Sequence, residues 1–494
     1  MRKIHYIAAL VLAVLALSSC TNTDYKNVIP ANAPLVMEVD IRSIAEKSEF
    51  QQSKGMPELE KKLTAVVAEK DMGKVKEYID DPMSMGIDFS MPIYAFMVDM
   101  EMVGLTMKVD DEDAVKDFLL LLNKQGIASK PQEKNELITG TLLDDMTYTY
   151  DGTTFLLLAS LEKSGGKKNT KLAQRLMGQK KEDSFFYVKD VWKTELYGQV
   201  KCYACGGNLP KEVMTPLLEF FPKNIKPSDV DVVADLNFDK GKATLTTALI
   251  TKTDEAQKVI DEANESMSKI EGRYLGKVSD NAVIWMGAGV KGKWLLEKIK
   301  TNKTLNGLLF ATERAVDAGQ MLQAINGDVS LEFSPSETDR NDVEYMMYAK
   351  LDNSNFLADV EDWKQSHKEF GIDMKDKGNN QYLLTFDGKT YNWGVQGDDL
   401  YWGTAQAFNH NTQSTGAFLK PYENTIKNSQ VFILLDLDAL GREAGMSAVG
   451  MASQMYGHYL RIKRIIVQSW SANGMALTIE QENKDENFLK QLFQ

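Results

Sequence analysis

The chain has 494 residues, of which 43% are apolar and 26% charged; this suits a globular body, and the length points to two domains. Its 57 basic and 70 acidic side chains leave a net charge of −13, which provides no electrostatic footprint for nucleic acid. Such a surface is also repelled by anionic lipid head groups.

The first residues read MRKIHYIAALVLAVLALSSC. Arg2 and Lys3 form a short positive region, and Ile7 to Leu17 is an apolar run of eleven residues, too short to span a bilayer and right for a signal peptide. The run ends in Leu17-Ser18-Ser19-Cys20, which resembles a bacterial lipobox. That resemblance implies removal of residues 1–19, a diacylglycerol on the Cys20 thiol and an acyl group on the new amine. The protein is then expected on the outer membrane, held by lipid, with the periplasmic face and the cell surface both open. Residues 20–29 are expected to form a lipidated tether. The nine residues TNTDYKNVI lie between Cys20 and Pro30 and reach about 30 Å when extended.

NAPLVMEVDIRSIAEKS, from Asn32, reads as a strand running into a helix. MPIYAFMVDMEMVGLTMKVDDEDAVKDFLLLLNKQGI (91–127) reads as a strand pair followed by an amphipathic helix with acids at its start. Met97, Met100, Met102 and Met107 crowd this pair; thioethers can bind Cu(I), but their apolar setting reads as core filler. ELITGTLLDDMTYTYDGTTFLLLAS (136–160) reads as strands around tight turns, and DSFFYVKDVWKTEL (183–196) follows. QVKCYACGG holds Cys202 and Cys205 as C-x-x-C. No helix begins at the motif, as a thioredoxin-like pair requires, and a lipidated Cys20 leaves no further cysteine for zinc. A structural disulfide or two inert thiols is the expectation. VDVVADLNFDKGKATLTTALITKTDEAQKVIDEA (230–263) reads as a hairpin and a helix.

In DNAVIWMGAGVKGKWLLEKI, GAGVKG (287–292) satisfies G-x-G-x-x-G and, with Lys293, all of Walker A except its final hydroxyl, where Trp294 stands. No acidic ribose ligand follows at the required distance. Comparable strand–helix junctions, MEVDIRSIAEK and LLDLDALGREA, lack these glycines. The motif therefore reads as a permissive turn, with no nucleotide and no cofactor. VEYMMYAKLDNSNFLADVEDWKQSHKEFGI (343–372) is another strand–helix unit. In TYNWGVQGDDLYWG (390–403), Tyr391 and Trp393 share one strand face and Trp402 lies on the returning strand. Exposed, they would form a surface for stacking sugars; buried, they are cross-strand core pairs, the preferred reading. SQVFILLDLDALGRE (429–443), a small-residue helix over 441–463, and a closing hairpin and helix (464–493) complete the chain. The acid pairs Asp144/Asp145, Asp398/Asp399 and Asp436/Asp438 read as turns or caps rather than metal ligands, and no catalytic motif stands out.

These segments repeat. Matching Leu35 to Val283 gives an offset of 248 residues. Segments 91–127, 136–160, 183–196 and 230–263 then align in order with 343–372, 381–405, 429–443 and 464–493, with the offset falling to about 231 at the end. Turns at Asp151-Gly152, Lys240-Gly241, Asp387-Gly388 and Asn473-Gly474 mark hairpins in both copies. The expected fold is α+β: two tandem divergent repeats, 30–275 and 276–494, each a mainly antiparallel sheet with packed helices. IPANAPLVMEVDIRSIAEKS and DPMSMGIDFSMPIYAFM, with the lipobox, resemble domain-of-unknown-function family 4836 of Bacteroidota lipoproteins. That resemblance implies an envelope location and no residue roles. The expected function is non-catalytic binding or scaffolding by a lipid-anchored envelope protein, its partners the membrane and an envelope protein or glycan. A glycan-binding protein is the alternative, followed by a periplasmic hydrolase or thiol oxidoreductase.

Overall fold

The computed structural model describes residues 24–493 except 54, 65–66, 135, 144, 161–165, 190–195, 210–213, 215–225, 302–305, 308, 311–315, 337–341, 370, 387, 438 and 440–461. Cys20 and most of the expected 441–463 helix lie outside the described residues. The chain divides into two compact units: one holds residues up to 217, 226–252 and 483–494, the other 218–225 and 253–482.

Among the described residues the first unit contains ten strands: β1 (Leu35–Val39), β2 (Ile93–Asp99), β3 (Met102–Lys108), β4 (Gln132–Lys134), β5 (Leu137–Leu142), β6 (Met146–Tyr150), β7 (Thr154–Ser160), β8 (Val200–Cys205), β9 (Val230–Asp239) and β10 (Lys242–Thr251). They pair antiparallel in the order β10-β9-β8-β1-β2-β3-β7-β6-β5-β4. The helices are α1 (Ile41–Ser48), α2 (Gly55–Thr64), α3 (Met72–Asp80), α4 (Glu112–Lys124), α5 (Gly166–Met177) and α6 (Phe185–Val188). Sequence chemistry sets their starts: Asp40 accepts the Ser43 N–H at 2.9 Å before α1, and Asp111 accepts those of Asp113 and Ala114 at 3.0 Å before α4. Helices cover both faces at the centre of the sheet. Phe155 and Leu157 of β7 pack in one core cluster, and Leu156 and Leu158 in another. The run FLLLA (155–159) is continuously apolar because the strand is covered on both sides.

The second unit has the short β11 (Met267–Ser268) and then β12 (Ile284–Lys291), β13 (Ile325–Pro335), β14 (Val343–Leu351), β15 (Asp373–Gly378), β16 (Gln381–Phe386), β17 (Lys389–Gln396), β18 (Asp399–Thr404), β19 (Val431–Asp436), β20 (Ile462–Ser471) and β21 (Gly474–Gln481). Apart from β11, which pairs with β12, the order is β21-β20-β19-β12-β13-β14-β18-β17-β16-β15, again antiparallel throughout. This is the first unit's order, strand for strand. Each sheet closes on an edge strand rich in charge, QEK in β4 and DMKDKG in β15, which discourages further pairing. The unit's helices are α7 (Asp254–Ser266), α8 (Gly292–Thr301), α9 (Ala318–Gln323), α10 (Val360–Glu369), α11 (Ala405–Asn411) and α12 (Glu423–Lys427). The last helix in the chain, α13 (Phe488–Phe493), belongs to the first unit, whereas α7, which follows β10, belongs to the second.

All four expected hairpins form. Two expectations change. DSFFYV forms α6 rather than a counterpart of VFILLD: the strand in β19's place is β8, so the offset has already fallen to 231 there, between Val200 and Val431. The expected tether is also shorter, because Asp24–Val28 forms a 3-10 turn with Tyr25 and Val28 buried.

The glycines of GAGVKG lie mostly inside β12, not in a loop. A Cβ on Gly287 would meet the Trp285 ring, and one on Gly292 the Leu322 carbonyl oxygen, so close packing accounts for both.

Candidate functional site: an apolar cavity in the second unit

The two-residue period of a strand places Met347 of β14 and Leu400 and Trp402 of β18 on one face, with Met347 directly opposite Trp402. Helices α8 and α9 pack over this face. Leu295 and Ile299, one turn apart in α8, and Met321 and Leu322 of α9 line a cavity of about 440 Å³ with Val329, Met347, Leu400 and Trp402. Among the described residues Leu309, Val316, Ala318 and Ile325 complete the lining, which is apolar at each of these positions. The volume falls within the range of small-molecule sites, about 300–1,000 Å³, yet the described lining residues include none of the convergent polar groups that usually orient a polar ligand.

Of the aromatic residues singled out in the sequence, Trp402 lines the cavity, and Tyr391 and Trp393 pack in the core around it. Trp393 is fully buried, its ring 4.5 Å from that of Tyr382 and 6.0 Å from that of Trp402. Trp402 is half-buried and lines the cavity; Tyr391 is half-buried, 6.2 Å from the Tyr345 ring. Both faces of the Trp393 indole are thus spent on protein contacts, and its Nε1–H has no hydrogen-bond partner.

The opposite face is buried too, with Met346, Tyr348 and Tyr401 in a core cluster on β14 and β18 and a polar row on β13. Glu332 of β13 is 1% exposed; its Oε2 accepts the Ser279 N–H at 3.0 Å, while Oε1 has no partner. Burial pushes this carboxyl from its usual 4.5 up to about 7, against the opposing pull of the Ser279 N–H and the Asn411 carboxamide. On the neighbouring strand the Trp285 Nε1–H donates to Ser330 Oγ at 2.9 Å.

The remaining sequence candidates lie elsewhere. Cys202 and Cys205 are free thiols on β8, and a spacing of three on one strand points them to opposite faces, so they do not bridge. Burial raises the Cys202 thiol, and Cys205 Sγ accepts a hydrogen bond from Lys252 at 3.5 Å. Met102 and Met107 enter different core clusters and Met100 is exposed, so the methionines do not converge. Asp398 and Asp399 pair with Arg273. Among the described residues no group of three or more His, Cys, Asp or Glu side chains is placed to hold a metal, and no helix is long and apolar enough to cross a membrane. Sequence reading missed the cavity's aliphatic lining and Glu332; the Leu295–Ile299 spacing on α8 was the one local signal for the former.

No curated protein matches the chain. Among solved structures it is similar to TP0453 in crystal form IV, at 12% identity over 46% of this chain and 81% of that chain with a TM-score of 0.27, and in crystal form I, at 12% identity over 50% and 88% with a TM-score of 0.25. The family described as domain of unknown function (DUF4836) matches residues 25–455, most of the chain's length, and the protein belongs to that family.

Proposed function

We propose that this is a lipid-anchored protein of the bacterial outer membrane, built of two divergent tandem copies over 30–275 and 276–494. Its role on this reading is non-catalytic binding of a hydrocarbon chain, such as a fatty acyl group, in the second unit. The leader and Cys20 motivate the anchor, and the common strand order supports the duplication. The observation that carries the binding role is the cavity: twelve described lining residues, all apolar, on the walls of about 440 Å³. A ligand there gains about 0.8 kcal/mol for each methylene it buries, so roughly ten methylenes suffice for micromolar affinity.

Titration of the chain with the fluorescent fatty acid cis-parinaric acid is expected to saturate at micromolar concentration. Ala318→Phe, which fills the cavity from α9, is expected to weaken uptake at least tenfold, with a thermal melt confirming that the variant folds. Unsaturable uptake, or uptake the substitution leaves unchanged, would reject the reading.

A further inference from the structure

On the premise of the lipid anchor, we infer that the first unit carries a membrane-seating surface around its point of entry, formed by α6, the segment before it and the end of α5. Its partner is the phospholipid headgroup layer that holds the anchor.

The first argument is reach. Only Thr21, Asn22 and Thr23 separate Cys20 from Asp24. The chain from Cys20 to Asp24 extends at most about 14 Å, roughly half the thickness of a bilayer's hydrocarbon core. From Asp24 onward it is fixed to the body. The Tyr25 hydroxyl donates to the Pro92 carbonyl at 2.8 Å, and Thr106 Oγ1 donates to the Tyr25 carbonyl at 2.9 Å. Gln179, just past α5, donates to the Asn27 carbonyl at 2.7 Å. Whatever surface surrounds this turn is therefore held within one short tether of the lipid.

The second argument is what that surface presents. The Ile29 carbonyl accepts the Phe185 N–H at 2.9 Å, and the Ala31 N–H donates to the Asp183 carbonyl at 3.0 Å, so α6 lies directly beside the entry turn. Phe185 is buried, yet Tyr187 and Val188 are 61% and 55% exposed. The entry turn, the end of α5 and the segment before α6 carry Lys26, Lys171, Arg175, Lys180 and Lys181, five cations, against Asp24, Glu182 and Asp183, while Lys189 is spent on Asp231 at 4.0 Å and on the Tyr203 ring. The difference, five minus three, is +2 on a chain whose net charge is −13. Lys26 Nζ sits 4.8 Å from the centre of the Phe186 ring. An outward tyrosine bordered by lysines is the side-chain combination that settles at a headgroup layer, where each cation is attracted to the anionic surface. The anchor makes these contacts intramolecular, so a small patch suffices to orient the body although the whole chain is acidic.

The test uses the full lipidated protein, purified from membranes and reconstituted into phosphatidylcholine vesicles containing phosphatidylglycerol. Its intact mass is read first: an unmodified Cys20 removes the anchor and the premise with it. With the acylated protein, Tyr187→Trp is introduced and emission is compared with that of the parent in vesicles carrying dibrominated acyl chains. The added emission is expected to be quenched at least twofold more than the parent's own, and Lys180→Glu with Lys181→Glu in that background is expected to abolish the excess. All three side chains are exposed, and circular dichroism checks the fold. Added emission quenched no more than the parent's, or excess quenching that survives charge reversal, overturns the inference while leaving the anchor standing.

Discussion

Glu332→Gln is expected to stabilise the second unit at pH 8 by roughly 3 kcal/mol and to do little at pH 4. The carboxyl titrates near 7 in the folded unit, against 4.5 for an ordinary glutamate. Between those values the folded state binds the proton that the unfolded state has released. Stability from this group is therefore fully present below about 4.5, declines as pH rises and is lost above about 7. Glutamine keeps the shape and carries no charge to desolvate, so the decline disappears. Urea unfolding at pH 4, 6 and 8 checks this, followed by tryptophan fluorescence, since Trp285, Trp294, Trp363, Trp393, Trp402 and Trp470, six of the seven tryptophans, lie in the second unit. A variant with the parent's pH slope would mean that Glu332 is already ionised at neutral pH.

Trp393→Ala is expected to cost about 3–5 kcal/mol of the same transition, among the largest losses a single core truncation gives. The ring is fully buried between Tyr382, Trp363 and Trp402, and removing it also strips the backing from the cavity wall. Trp393→Phe should cost much less: it keeps most of the packing and deletes an indole N–H that has no acceptor and is itself a burden of order 1–3 kcal/mol. Equal losses in the two variants would show that a property of the indole itself, and not the volume it fills, decides this position.

Much of the fold was legible because local chemistry fixes it. Asp-Gly and Asn-Gly turns define hairpins by backbone preference alone, and Asp111 and Thr253 cap α4 and α7 with hydroxyl or carboxylate oxygens the sequence displays. The antiparallel α+β class follows from those hairpins. The short run FFYV misled because four apolar residues suit a strand or a helix equally, whereas its rival VKCYAC, the real strand β8, is diluted by a lysine and two cysteines. Alternation along β13 does not give its direction: Asp328, Ser330, Glu332 and Ser334 are the buried set, and Val329, Leu331 and Phe333 the less buried one, because elements cover both faces. The cavity could not be read at all. Its lining is drawn from separate segments between Leu295 and Trp402, and every residue in it looks like ordinary core.

Helix α7 follows β10 of the first unit and α13 follows β21 of the second, yet α7 belongs to the second unit and α13 to the first. In the first unit Phe488 of α13 stacks on Phe238 at 6.2 Å, Phe493 meets Phe50 edge-on at 5.4 Å, and Lys490 reaches Glu49 at 3.0 Å. A gene fragment ending at residue 275 would therefore make a body whose missing lid leaves Phe50 and Phe238 bare while its own last helix dangles without a seat. Such a fragment is expected to aggregate when expressed alone and to be rescued by adding residues 276–494 in trans, which return α13 to its seat.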